Sequence, residues 1–282
     1  MHHAKMQLAR GERDSATPLL RSLLSESSTR LEAHHLIEGH DLPGSYTNMM
    51  GLNCQISPDD DIFKFFCAHP SSQNPLRDYF ADGWRTLSEL MLLLEVVDKP
   101  LLKSGSFLEF ASGHGRFTRH LVKAIGSERV TVSDVVPSAV AFSTATFGVR
   151  GFESQLVPEQ VVFPKRYDVV FVLSLFSHLP KSTWSRWLKC LYAGVASGGV
   201  LVFSTHGIKA AKHDSVTLDA DGFFFAPSSE SSAIDVEQYG TTFTSEDFVI
   251  SQIEQTLGPH VLQHKALLQF WNHQDAYVLR CP

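Results

Sequence analysis

The chain is short of the features that mark several large protein classes, and each shortage narrows the reading. Its 282 residues include only four cysteines (Cys54, Cys67, Cys190 and Cys281), with no Cys-x-x-Cys pair among them. A disulfide scaffold or a cysteine zinc site has no support, and buried free thiols in a reducing compartment are expected. No apolar run reaches the ~18 residues that a spanning helix needs. The opening MHHAKMQLARGERDS is too polar for a signal peptide, so a cytoplasmic protein without a membrane partner is expected. Dense Lys/Arg blocks are missing and the formal net charge is −6. Nucleic-acid binding through a basic footprint is therefore not expected. No short His/Asp spacing marks a metal centre, and none is expected.

What is present points to a folded α/β protein. Hydrophobic residues make up 43% of the chain and 20 are Phe, enough for a large core in one domain with an appendage. Residues 4–37 read as helical. Leu8, Gly11, Ala16, Leu19, Leu20, Leu23 and Ala33 resemble part of a tetratricopeptide helix pair, with an ordinary helical extension as the alternative. A single such pair cannot bury its own face, so it must pack on the rest of the chain, on a protein partner or on further repeats. Residues 38–61 are rich in turn formers and acids and read as a connector, and 74–97 as a helix entering the main domain. The expected division is a helical extension and connector over 1–73 and a main domain over 74–282, with an insertion at 208–246.

From Ser106 onward strands and helices alternate. Strands are expected at 106–111, 129–134, weakly at 155–157, at 167–176 and at 200–206, with helices at 116–125, 137–147 and 182–195. Continuous Val/Leu/Phe strands interleaved with helices signal a parallel sheet covered on both faces. The tail adds a helix over 245–257, with Ser245 as its N-cap, and strands at 260–270 and 275–281.

The stretch FLEFASGHGRFTRHL (107–121) carries the chemistry. Glycines between a strand and a helix let the backbone approach a ligand near the free N–H groups of the helix. A dinucleotide site needs Gly-x-Gly-x-x-Gly, yet Gly113-His114-Gly115-Arg116-Phe117-Thr118 lacks the third glycine. Glu109, near the end of the strand, would also repel a pyrophosphate. A cationic ligand with an amino-acid end suits that acid better, and S-adenosyl-L-methionine is such a ligand.

These residues resemble the first motif of class I S-adenosylmethionine-dependent methyltransferases, an acid-x-Gly-x-Gly-x-Gly pattern. Glu109, Gly113 and Gly115 match it, and Ala111 stands in for the first glycine. Asp134, 19 residues past Gly115, is similar to the acid that ends the family's second strand and accepts the ribose hydroxyls. YDVVFVLSLFSHLP and LYAGVASGGVLVFSTHG resemble the fourth and fifth strands with their flanks. Ser-Thr-His-Gly at 204–207, Tyr-Gly-Thr-Thr-Phe at 239–243 and His-Gln-Asp at 273–275 resemble a bacterial branch acting on small molecules or glycans. The likeness covers residues ~75–281.

The resemblance implies a Rossmann-like fold with a seven-stranded mixed sheet in which only the last strand is antiparallel, and S-adenosyl-L-methionine as cofactor. It implies cofactor contacts from Glu109, Ala111, Ser112, Gly113, Gly115, Arg116, Phe117, Asp134, Val135, Leu173 and Ser174. The adenine contact after strand three stays open, since neither Glu159 nor Gln160 can be placed. His206, then His178, are the candidate bases: both sit at the strand-end edge where open sheets bind ligands, and imidazole titrates near neutral pH. His273 and Asp275 either join them or form a turn that pins the last strand, and Arg119 reads as a surface or structural residue. Phe223, Phe224, Phe225, Tyr239 and Phe243, with Tyr79, Phe80 and Trp84, line an acceptor pocket or form a private core. The implied activity is methyl transfer to a small-molecule or glycan acceptor at oxygen. A catalytically silent cofactor-binding protein and a nicotinamide-dependent oxidoreductase are the alternatives.

Overall fold

The computed structural model describes residues 1–229, 234–270 and 274–282. Six helices lead: α1 (His2–Ala9), α2 (Arg13–Leu23), α3 (Arg30–Gly39), α4 (Tyr46–Met50), α5 (Asp61–Ala68) and α6 (Pro75–Val96). Then follow β1 (Phe107–Phe110), α7 (Thr118–Ile125), β2 (Val130–Asp134), α8 (Pro137–Phe147), β3 (Arg150–Glu153), β4 (Tyr167–Val172), α9 (Lys181–Ala193) and β5 (Val195–Thr205). The chain closes with α10 (Ile208–His213), β6 (Phe223–Ala226), β7 (Thr241–Thr244), α11 (Glu246–Leu257), β8 (Leu262–Phe270) and β9 (Gln274–Arg280).

The main sheet runs β3-β2-β1-β4-β5-β9-β8. β1 to β5 are mutually parallel, and β9 is antiparallel to both β5 and β8, so it alone runs against the others. Strand periodicity explains the two cores. Leu108, Phe110, Val170 and Val172 face α9 and α11, while Phe107, Val169, Phe171 and Val202 face α6 and α7. The result is a seven-stranded mixed sheet with one antiparallel strand, as expected.

Several elements depart from the sequence reading. β3 lies at 150–153 rather than 155–157. Arg-Gly-Phe-Glu is a largely exposed edge strand with little apolar signal, held by its ladder to β2. β5 starts at Val195, earlier than the expected 200, and residues 208–246 build α10 and the β6–β7 pair, neither of which their Ser/Asp/Gly-rich composition signalled. Residues 4–37 form parts of three short helices instead of one pair, and the chain beyond adds α4 and α5.

Those first helices bury their apolar side within the chain. Ala4, Leu8, Ala16, Leu20, Ala33, Ile37 and Leu42 make one small cluster, its alanines letting helices approach closely. A second cluster of Cys54, Ile56, Phe63, Leu76, Tyr79 and Phe80 ties that unit to α6. Of the four free cysteines only Cys54 is buried and Cys67 is exposed, a correction to the expectation of buried thiols. Among the described residues no helix is long and apolar enough to cross a membrane.

Candidate active site

The chain leaves β1 through a backbone that turns sharply. Ala111, Gly113 and Gly115 all have positive φ (57°, 53° and 80°), so Ala111 adopts the left-handed conformation expected of the glycine it replaces. An L-residue there costs roughly 1–2 kcal/mol, held in place by the fully buried strand before it. Ser174, just past the end of β4, is left-handed as well (φ 61°), and such strain clusters at functional edges.

A cavity of about 1200 Å³ opens at this edge of the sheet. Glu109, Ala111, Ser112, Gly113, Arg116, Phe117, Asp134, Val135, Leu173, Ser174, His178 and His206 all line it. Gly115 does not. Its carbonyl accepts from Arg119 Nε at 3.0 Å, and any Cβ would strike the Phe147 ring, so this glycine serves the turn's own packing. Phe117 reaches the cavity wall, but its ring is anchored against Phe107 and Phe171 in the core.

The acids of this wall are buried and hydrogen-bonded. Thr118 Oγ1 donates to Glu109 Oε2 at 2.6 Å, and burial pushes the Glu109 carboxyl up to about 8. Asp134 accepts from the Gly113 amide at 2.8 Å and from the Val136 amide at 2.9 Å, which holds the glycine turn against the end of β2. Burial raises the Asp134 carboxyl too, and its backbone donors counteract that. Arg116 is ion-paired with Asp82 of α6, and burial lowers its guanidinium to about 10, still charged at neutral pH.

The opposite wall is assembled from distant segments. His178 follows β4, and its Nδ1 lies 2.6 Å from the Gly240 carbonyl oxygen. A carbonyl only accepts, so Nδ1 carries the hydrogen and Nε2 is the basic nitrogen of the neutral ring. Tyr239 stacks on the His178 ring with centroids 4.3 Å apart, and His206 lies 6.2 Å away, itself tilted against Phe243. Backbone bonds lace this corner together: Gly240 N–H donates to the His178 carbonyl, Thr242 N–H to that of Ser177 and Thr244 N–H to that of His206. Gln274, at the start of β9, also lines the cavity and donates to Ser174 Oγ at 2.8 Å.

The remaining sequence candidates divide clearly. Asp275 is away from the cavity lining and accepts from the Leu268 amide at 2.8 Å, which makes it a pin between β8 and β9. His273 lies outside the described residues. Tyr79 and Phe80 belong to the N-terminal core and Phe223 to the main one, while Trp84 is 60% exposed; of the aromatics weighed, Tyr239 lines the cavity. Glu159 is a surface partner of Arg186 at 2.8 and 2.5 Å. Ser154, Gln155 and Leu156 reach the cavity instead, the Ser154 amide donating to the Asp134 carbonyl. Sequence reasoning missed them because it put β3 at 155–157, over Gln155 and Leu156 and directly after Ser154. Asp82 was missed as well, although an acid on the buried side of an amphipathic helix was a signal to be used.

A family model described as a methyltransferase domain matches residues 82–239, more than half of the chain. The chain belongs to that family. A comparison with curated proteins gave no match. Among solved structures, an S-adenosylmethionine-dependent methyltransferase from Clostridium acetobutylicum is 12% identical, covering 73% of this chain and 96% of its own, with a TM-score of 0.50. Magnesium protoporphyrin IX methyltransferase from Synechocystis, with bound SAH, is 14% identical over 83% of this chain and 96% of its own, with a TM-score of 0.51. The S-adenosylmethionine-dependent methyltransferase SibL in its apo form is 16% identical, covering 97% of this chain and 77% of its own, with a TM-score of 0.50. At these identities the likeness is one of fold. With the family match it makes the chain a class I methyltransferase, an enzyme whose cofactor is S-adenosyl-L-methionine.

Proposed function

We propose that this methyltransferase acts on a hydroxyl of a small-molecule or glycan acceptor, with an imidazole taking the proton. The observation that carries the reading is the pair His178 and His206, which line the same cavity as Glu109 and Asp134. At about 1200 Å³ the cavity exceeds the roughly 300–1,000 Å³ of a pocket for one drug-sized ligand, which favours a cofactor together with a modest acceptor.

The residues present fit the cofactor. Gly113 leaves open space where a Cβ would stand, on the cavity side of the turn. Each Asp134 oxygen already accepts one backbone N–H and keeps a lone pair for a ribose hydroxyl. Glu109 suits an ammonium, Arg116 a carboxylate, and Ser154 to Leu156 the adenine edge, with Ala111, Ser112, Val135, Leu173 and Ser174 filling the wall between them. Bound there, the cofactor supplies an electrophilic methyl carbon. This chain's part is to align the acceptor, exclude water and hold the leaving proton. His178 Nε2 is the better placed acceptor of that proton, because Gly240 fixes its tautomer; the resulting imidazolium then passes the proton to solvent. His206 is the second candidate.

Turnover with methyl-labelled cofactor on panels of hydroxylated small molecules, saccharides, amines and proteins tests the reading. Label is expected as O-methyl on a small or saccharide product. Label found only on nitrogen, or only on protein, sinks it.

A further inference from the structure

Arg119 is 1% exposed, a whole guanidinium taken into the interior, and the reaction described above gives it no role. Burying a cation is costly unless its donors are met. Here they are met by groups from regions far apart in sequence. Nε donates to the carbonyl of Gly115 at 3.0 Å, Nη1 to the carbonyls of Asn53 and Gln55 at 3.2 and 2.8 Å, and Nη2 to the Tyr79 hydroxyl at 3.3 Å. Tyr79 in turn donates to Asp60 Oδ2 at 2.6 Å, and Asp60 caps α5 through the Phe63 amide. The rings of Tyr79, Phe80 and Phe147 surround the guanidinium with centroids at 5.4, 5.4 and 5.0 Å.

Gly115 closes the turn whose first part, Gly113, faces the cavity and is held by Asp134. Its carbonyl is thus tied, through one rigid planar side chain, to the segment that joins the N-terminal helices to the rest. Asn53 adds a second tie, its Nδ2 donating to the Thr146 carbonyl beside Phe147. We propose that Arg119 is a positioning residue for the cofactor. It refers the direction of the turn's peptide groups to the Asn53–Gln55 segment, so that cofactor binding and seating of the N-terminal unit are one coupled equilibrium. Coupling of this kind is reciprocal: whatever loosens residues 53–55 weakens the cofactor, and the cofactor tightens residues 53–55. Lysine cannot replace arginine here, because a single ammonium has no fork with which to hold three separated carbonyls. The proposal rests on the reading that this turn holds the cofactor.

Hydrogen exchange and calorimetry with S-adenosylhomocysteine on the full chain test it, using Arg119→Lys, the milder Tyr79→Phe, and Asp134→Ala as a reference. In the unaltered protein, saturating S-adenosylhomocysteine is expected to slow amide exchange at 53–57 as well as at 113–119. Arg119→Lys should weaken binding by ~10-fold or more and confine the remaining protection to 113–119, and Tyr79→Phe should do the same by a few-fold. A merely structural arginine would lower the melting temperature while leaving the affinity of the folded protein and its protection pattern alone. Affinity within two-fold of the unaltered protein in folded Arg119→Lys, or no ligand effect at 53–57, overturns the coupling. If Arg119→Lys does not fold, Tyr79→Phe decides by the same two readings. An unchanged affinity in Asp134→Ala overturns instead the placement of the cofactor at this turn.

Discussion

The two walls of the cavity are built in opposite ways. The wall we assign to the cofactor comes largely from one stretch, residues 109–135, running from β1 through the glycine turn to the end of β2. The wall we assign to the acceptor draws His178 from after β4, His206 from the end of β5, Tyr239 from the insertion and Gln274 from β9. On the first wall the carboxylates are oriented by neighbours such as Thr118 and Val136, within one supersecondary unit. On the second, the tautomer of His178 depends on a carbonyl 62 residues away. A local wall changes by single contacts, whereas a wall of distant parts changes when any one of its parts shifts.

The largest expected effect lies on the acceptor wall. His178→Ala should lower kcat by ~10²–10⁴ while calorimetric affinity for S-adenosylhomocysteine stays within two-fold. If His206→Ala shows that loss and His178→Ala does not, the base moves to His206 and Gly240 is only a structural partner. Next in size, Asp134→Ala should weaken cofactor binding about 10- to 150-fold, the worth of a hydrogen bond to a charged group, and leave the acceptor KM unchanged in cofactor-saturated assays. An equal loss in both parameters would mean that the two walls are not separable.

A smaller effect should appear as protons. The Glu109 carboxyl is raised from 4.5 to about 8, so at pH 7 it is mostly neutral in the free protein. An ammonium bound beside it favours the carboxylate, and binding should then release close to one proton, read as the buffer dependence of the calorimetric enthalpy. The same shift makes the folded protein lose stability as pH rises from about 4.5 to 8, because the unfolded chain gives up that proton first. Glu109→Gln should abolish the proton release and flatten that slope; a proton count unchanged by the substitution would dissociate Glu109 from the ligand. The smallest effect is a control outside both walls. Ser245 Oγ accepts from the Phe248 amide at the start of α11, so Ser245→Ala should cost about 1 kcal/mol of stability, seen as a lower Tm with kcat and affinity intact.

The same contrast explains what could be read from the chain before its fold was known. Gly113 was legible because strand, turn and helix are local and the turn needs a positive φ, and Glu109 and Asp134 because they resemble the family's two strand-end acids. β9 was legible as the antiparallel strand because it follows a helix and a second strand with no crossover helix between them. β3 was misplaced because an exposed edge strand carries no apolar run, and that error hid Ser154 to Leu156. Arg119 looked like a surface or structural residue, since nothing in a sequence says which carbonyls will gather around a guanidinium.

The parallel strands and the glycine turn follow from the local pattern of the chain, and the resemblance of its strand-end acids to a family motif supplied the class of enzyme. Hydrophobic period and glycine placement act over a few residues and need no knowledge of the rest. Which nitrogen of His178 carries the hydrogen, that Gly115 and Asp275 stand outside the cavity lining, and that Arg119 joins residues 53–55 to the turn follow from the folded arrangement alone. The His178 and Arg119 outcomes depend on hydrogen bonds spanning 62 and 64 residues, and even the seven-residue bond of Asp275 forms only because β8 and β9 pair, so each is set by how the whole core packs.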